Sequence, residues 1–401
     1  MTARALDGIR VLDFSRHLAG PYMTMMLADH GADVIKIEAV EGDPVRAAGT
    51  GDAADGDGPL FLGWNRGKRS VAVDLRDATV LEAVRALVAT SDVVVENFRP
   101  GVAERIGIGY DALSAINPRL VYCSITGFGR SGPFADLPAT DPIGQAMSGV
   151  LALTGPPDAD PVLIGVPIAD VMAAMLGVQA ATLALLHRER TGRGQHVDVS
   201  LMFGLMSTLT TRLATFWGTG EEPRRLGGAH SVVLPYQVFR TADGYACAGI
   251  WDDSGWPRFC EAIGRPDLGS DPRYRTNAGR VEHRDVVTRE LSDTFRTRTN
   301  GYWAPRLRAA NAMFGPAYGL NELFELDHVV ESGIVQVVDH PRKGAIKQLA
   351  SPIAMSDSPP RITTPPPLLG EHTVRVLTEA GLSAEQIDAL VVDGAARVAP
   401  D

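Results

Sequence analysis

The first half of the chain alternates short β-rich runs with stretches of helical apolar spacing, and this rhythm limits the available folds more than any other feature. Ile9–Phe14, Asp33–Glu38, Ser70–Leu75, Asp92–Asn97 and Arg119–Ile125 read as strands. Between them, Pro21–His30 and Ala78–Thr90 carry apolar residues at helical intervals, and Asn117-Pro118 closes a further helix before its strand. Strands separated by crossover helices pair in parallel, so the expected fold class is α/β, with a Rossmann-like parallel sheet. The Gly- and Asp-rich segment Gly49–Gly58 reads as an exposed loop.

A chain of 401 residues exceeds what one hydrophobic core usually supports, so a second domain is expected. A long helix is predicted from near Asp170 to His187–Arg190, with bases at its C-terminal end as the helix dipole favours. Another covers Ser200–Trp217, and Gly218–Gly228 is a linker. Tyr236–Arg240 and Tyr245–Ile250 flank an Asp243-Gly244 turn and read as a hairpin that opens a smaller α+β domain. Beyond Glu331 come two short strands, a Pro-rich stretch and a helical pair from Glu371 to Asp393. The expected organisation is a large domain over 1–217, a small domain over 225–325, and a segment over 330–401 that returns to the large one.

The net charge of -10 argues against a nucleic-acid partner. Cys123, Cys247 and Cys260 are too few and too scattered for a disulfide framework or a cysteine metal site, so no metal is expected and a reducing compartment is. The N-terminus has no apolar segment of signal-peptide length. The apolar run Leu163–Leu186 nearly reaches membrane-spanning length, but Pro167, Asp170 and Gln179 interrupt it. It reads as a buried strand end and helix, so no membrane partner is expected and the location is cytoplasmic.

Gly127, Gly129 and Gly132 form a G-x-G-x-x-G directly after a strand, the spacing of a dinucleotide fingerprint. Pro133 and a polar loop follow where that fingerprint needs a helix N-terminus, so a nicotinamide cofactor is not expected. No serine elbow, zinc-protease motif or phosphate loop is present, and the histidines, His17 among them, are dispersed. Asp170 stands apart, between Gly165-Val166-Pro167-Ile168-Ala169 and the apolar Val171–Leu176. It has two readings that do not exclude each other. One is an N-cap accepting backbone N–H bonds; the other is a carboxylate kept ionised at a helix N-terminus and placed to attack an activated acyl carbon.

Taken in order, a series of segments resembles the family III CoA-transferases, the CaiB/BaiF type that includes formyl-CoA transferase and crotonobetainyl-CoA:carnitine CoA-transferase. They are Leu18-Ala19-Gly20-Pro21, Gly31–Glu38, Asn65–Ser70, Glu96–Gly101, Asn117-Pro118-Arg119, Ser124–Gly129, Gly165–Asp170, Thr191–Gln195 and Leu369–Thr373, and they span almost the whole chain. The resemblance implies that CoA is exchanged between an acyl-CoA and a carboxylic acid through an aspartyl intermediate on Asp170. CoA is then a substrate, with no tightly bound cofactor. It further implies CoA contacts at Leu18, Ala19, Val73, Asp74, Leu75, Arg76, Asn97, Phe98 and Arg105, a glycine-rich substrate loop at Gly227, Gly228 and His230, and an interlocked homodimer. Leu18 stands where formyl-CoA transferases carry Gln, and Ala39 where some relatives carry an Arg, departures that speak against oxalate as acceptor. The alternative is α-methylacyl-CoA racemase, of the same fold; its catalytic His is replaced here by Thr140, which is no general base near neutral pH.

Overall fold

The computed structural model describes residues 3–48 and 57–400, so most of the expected loop Gly49–Gly58 lies outside the described residues. At its end Asp57 is buried, not exposed, because Arg46 and Arg342 approach its carboxylate at 3.5 and 3.2 Å. The chain divides into two compact units: Met1–Val150 with Ile164–Leu213 and Ser332–Asp401, and Leu151–Leu163 with Ala214–Glu331.

The first unit is built on β1 (Arg10–Asp13), β2 (Asp33–Glu38), β3 (Lys68–Val73), β4 (Val93–Glu96), β5 (Val121–Thr126) and β6 (His196–Ser200). The second carries β7 (Tyr236–Arg240), β8 (Tyr245–Gly249) and β9 (Met313–Pro316). The tail adds β10 (Val335–His340), β11 (Gly344–Leu349) and β12 (Ala396–Arg397) to the first unit. Its large sheet runs β12-β3-β2-β1-β4-β5-β6, parallel throughout except for β12, which closes the edge at β3 antiparallel.

Parallel strands covered on both faces must be apolar on both, and these strands are. Leu12, Ile35, Val71, Val94 and Tyr122 pack toward the helices Ala78–Val88, Thr373–Glu379 and Ala384–Val392. The alternate residues Val11, Val34, Val93, Val121 and Cys123 pack toward Ala19–Asp29 and the long helix Ile168–Thr191. The last two helices meet closely because residue 177 is glycine: a Cβ there would stand 2.6 Å from the Met23 sulfur.

The apolar run at Leu163 holds no strand; the helix begins at Ile168. It has the length and hydropathy of a membrane span, yet Ala169, Ala173, Ala174, Gly177, Ala181 and Ala184 are buried within the first unit. Its other side leaves Met175, Leu183 and Leu186 exposed. The helix expected over Ser200–Trp217 is divided at Ser207–Leu209 into Leu201–Met206 and Thr210–Thr219. In the second unit β7, β8 and β9 form an antiparallel sheet, whose Phe239 stacks on Phe295 over a core with Trp256, Phe259 and Trp303.

Candidate active site

The strand order reverses direction between β1 and β4, and open α/β sheets bind ligands outside the carboxyl ends of their strands at such a reversal. Two loops meet there, Ser15–Leu18 after β1 and Asn97–Pro100 after β4. Asn97 joins them: its Oδ1 accepts the Arg16 N–H at 2.8 Å and its Nδ2 donates to the Arg16 carbonyl at 2.7 Å.

The first loop is held at almost every backbone polar atom. Lys36 Nζ donates to the Ser15 carbonyl at 2.8 Å, and Lys68 Nζ to that of Pro21 at 2.9 Å. The Trp64 indole donates to the His17 carbonyl at 2.6 Å, while Asp43 accepts the His17 N–H at 3.3 Å. Both ammonium groups are fully enclosed and paired, Lys36 with Asp43 at 2.9 Å and Lys68 with Asp13 at 3.0 Å. Burial alone would raise Asp13, but Lys68 and Lys36 hold it at about 2; burial draws Lys68 down to about 8. Gly20 lets the loop close, since a Cβ there would lie 2.2 Å from that of Ser15. This clamp fixes His17 at φ +65°, a left-handed conformation that costs a residue with a side chain about 1–2 kcal/mol.

Two cavities open along this edge. One of about 580 Å³ is lined by His17, Leu18, Ala19, Asn97, Phe98 and Arg99, together with Asp141 and Asp170. The other, about 390 Å³, is lined by Val73, Asp74, Leu75 and Arg76 from the end of β3 and by Arg16. Phe98 belongs to both, with the Arg16 guanidinium 5.3 Å above its ring. Phe98 is itself fixed from beneath, its N–H donating to the buried Glu96 carboxylate at 2.8 Å.

Asp170 lies in the first turn of Ile168–Thr191, but Pro167, not Asp170, is the N-cap residue. The capping carboxylate comes from elsewhere: Asp141 Oδ1 accepts the N–H groups of Ala169 at 2.7 Å and Asp170 at 3.4 Å. Gln145, one turn along the helix Asp141–Met147, donates to Asp141 Oδ2 at 2.7 Å and accepts the Ile164 N–H at 2.9 Å. The N-cap reading of Asp170 is thus overturned, and among the described residues its carboxylate accepts from no backbone donor. Burial, and then the charge of Asp141, push Asp170 up to about 7.

Of the residues expected from sequence, Leu18, Ala19, Asn97 and Phe98 share the cavity of Asp170, and Val73, Asp74, Leu75 and Arg76 share the neighbouring one with Phe98. Arg76 is occupied by a two-pronged pair with Asp74, its Nη2 2.8 Å from Oδ2. Arg105 is exposed on the helix Val102–Ile106 and lines neither cavity. Gly227, Gly228 and His230 lie in the second unit and have structural employment there. Gly228 must lack a Cβ because Val238 would be 2.7 Å away; His230 stacks on Tyr236 and accepts the N–H groups of Val232 and Val233. Gly127, Gly129 and Gly132 precede turns, and between Gly127 and Thr140 no helix begins. Among the described residues no cluster of His, Cys, Asp or Glu could hold a metal ion. The sequence pattern assigns no role to Gln145 or His17, and Asp141 enters it only as the neighbour of Thr140. Only Asp141-Pro142, an acid and a proline opening a helix, left any local signal.

Fold and cavities together define an open α/β protein with two adjoining cavities at the switch point of its sheet, one of them lined by the Asp170 carboxylate. The model of CoA-transferase family III matches residues 6–373, and the chain belongs to that family; it is a family III CoA-transferase. It is similar to the succinate–glutarate CoA-transferase of Agrobacterium fabrum, with 39% identity over 93% of this chain and 95% of that one. The succinyl-CoA:mesaconate CoA-transferase of Haloarcula hispanica is 38% identical over 94% of this chain and 97% of its own. Among solved structures, a CaiB/BaiF family protein from Brucella suis superimposes with a TM-score of 0.84 at 35% identity, covering 95% of this chain and 100% of that one.

Proposed function

We propose that the chain transfers CoA from an acyl-CoA to a dicarboxylic acid, with Asp170 as covalent nucleophile. The observation that carries this reading is the Asp170 carboxylate, free of backbone donors among the described residues, in the cavity that the two loops at the sheet's switch point help to line. A carboxylate raised to about 7 is more basic, and hence a stronger nucleophile once ionised, than one solvated by water. In the first step an Asp170 oxygen adds to the thioester carbonyl and the C–S bond breaks, leaving CoA thiolate and a mixed anhydride. Thiolate then attacks the aspartyl carbonyl, releasing the donor acid and forming an aspartyl thioester. The acceptor carboxylate expels the thiolate to give a second anhydride, and thiolate attack on its acyl carbon yields the new acyl-CoA and restores Asp170. The bond energy survives only if water is excluded, in keeping with the apolar wall of Ile125, Leu201, Leu18 and Ala19. Thr140 leaves the racemase reading without its base.

The dicarboxylate class follows from the succinyl, glutarate and mesaconate specificities in the names of the similar proteins. In this reading CoA runs from the Val73–Arg76 cavity past Phe98 to Asp170, the first unit is the CoA-binding domain, and the enzyme is a cytoplasmic, interlocked homodimer. The exposed Leu183 and Phe203 beside Phe128, along an open groove of about 450 Å³, supply the apolar surface a second copy would cover.

Acyl-CoA without acceptor, quenched with hydroxylamine, should leave a hydroxamate on the peptide containing Asp170, and the Asp170→Ala protein should bind CoA yet give no adduct. A hydroxamate on another residue would end the covalent reading of Asp170.

A further inference from the structure

His17 carries a side chain where the backbone favours glycine. His17 and Asn311 are the two non-glycine residues with positive φ among the described residues, and asparagine tolerates that region through its short polar side chain. At position 17 nothing local compensates: the imidazole has no hydrogen-bond or ring partner among the described residues. The backbone is instead held from outside, by Trp64 on the carbonyl, Asp43 on the N–H and Asn97 on the preceding residue. Strain maintained by so many independent contacts is a sign that the side chain's direction is being used. That side chain lines the Asp170 cavity.

The cavity's charge narrows the use. Among the described residues lining it, His17 and Arg99 are the two basic ones, and Asp141 and Asp170 the two acidic ones. They come from the two loops that Asn97 ties together, so their spacing is fixed by the same side chain. Arg99 likewise has no side-chain partner among the described residues. A dicarboxylate that offers one carboxylate to Asp170 brings a second charge into a partly apolar cavity, and that charge needs a donor or cation.

We propose that His17, together with Arg99 in the same cavity, is a specificity residue that binds the remote carboxylate of the dicarboxylic acyl group. Donor and acceptor acyl groups occupy the same place in turn, so one subsite serves both halves of the exchange. The inference rests on reading the Asp170 cavity as the acyl-transfer site.

The conformation of residue 17 supplies a clean test, because His17→Gly removes the imidazole while relieving the backbone. With glutarate, succinate and mesaconate as acceptors, His17→Gly should raise KM for the best of them about tenfold or more, with kcat changed less than about threefold. His17→Gln, which keeps a donor, should recover part of the loss. The thermal midpoint should be unchanged or higher, and CoA affinity by calorimetry unchanged. An unaltered KM would overturn the proposal. So would weakened CoA binding, which assigns the imidazole to a phosphate, or failure of the wild-type enzyme to use any of the three acids. The covalent reading fails separately: an absent Asp170 hydroxamate in wild type removes the nucleophile, whereas a normal hydroxamate with an unaltered KM in His17→Gly removes only the subsite.

Discussion

Replacing Asp170 by asparagine tests the electrostatics of the site and its chemistry at once. The native carboxyl is raised from 3.8 to about 7, so the folded state holds its proton more tightly than the unfolded state does. The sign follows: the penalty for ionising Asp170 is absent well below pH 3.8, grows as pH rises, and is complete above pH 7. A shift of about 3 units corresponds to ~4 kcal/mol at pH 8 and under ~2 kcal/mol at pH 5. Because the side chain is only partly buried, solvent screening reduces these to roughly 2 and 1 kcal/mol. Asp170→Asn has no proton to lose and keeps the shape, so it should be more stable than wild type by roughly 2 kcal/mol at pH 8, with the advantage falling toward pH 5. Urea unfolding of both proteins at the two pH values, at equal protein concentration, measures this. Transfer activity should fall by roughly a thousandfold or more, as for other covalent nucleophiles. A variant whose stability relative to wild type is the same at pH 5 and pH 8 would refute the elevated carboxylate. Near wild-type transfer without deamidation back to aspartate would refute the nucleophile.

Asp141→Asn should move the acid limb of the kcat/KM profile below its expected position near pH 7, because it removes the second cause of the Asp170 elevation while an amide oxygen still caps the helix; an unmoved limb in a pH–rate series would exclude coupling between the two. Lys68→Met should destabilise the first unit by about 3–5 kcal/mol, since it leaves the Asp13 carboxylate without its ion-pair partner where neither side chain is solvent-exposed; a loss under about 1 kcal/mol by urea titration would show that the clamp on the Ser15–Leu18 loop does not depend on that pair.

The sequence by itself determined the frame. Continuous valine and isoleucine runs such as Val93-Val94-Val95 can satisfy both faces of a strand only inside a covered parallel sheet, and the helical spacing of Ala78–Val88 supplies one of the covers. Asp170 was legible too, because a carboxylate among alanines and valines has few reasons to be there. What tertiary structure alone decided is how that carboxylate behaves. Its capping partner stands 29 residues away in the chain, and no local pattern distinguishes an aspartate that caps its own helix from one whose donors another carboxylate has taken. The same holds for His17, an isolated histidine in sequence. Its backbone sign is set by Trp64, Asp43 and Asn97, which reach it from three separate segments of the chain, and its place in the Asp170 cavity exists only because β1 and β4 are neighbours. Periodicity is a local property carried by each segment. The charge state and direction of a side chain are set by groups that only the folded sheet brings within a few ångströms.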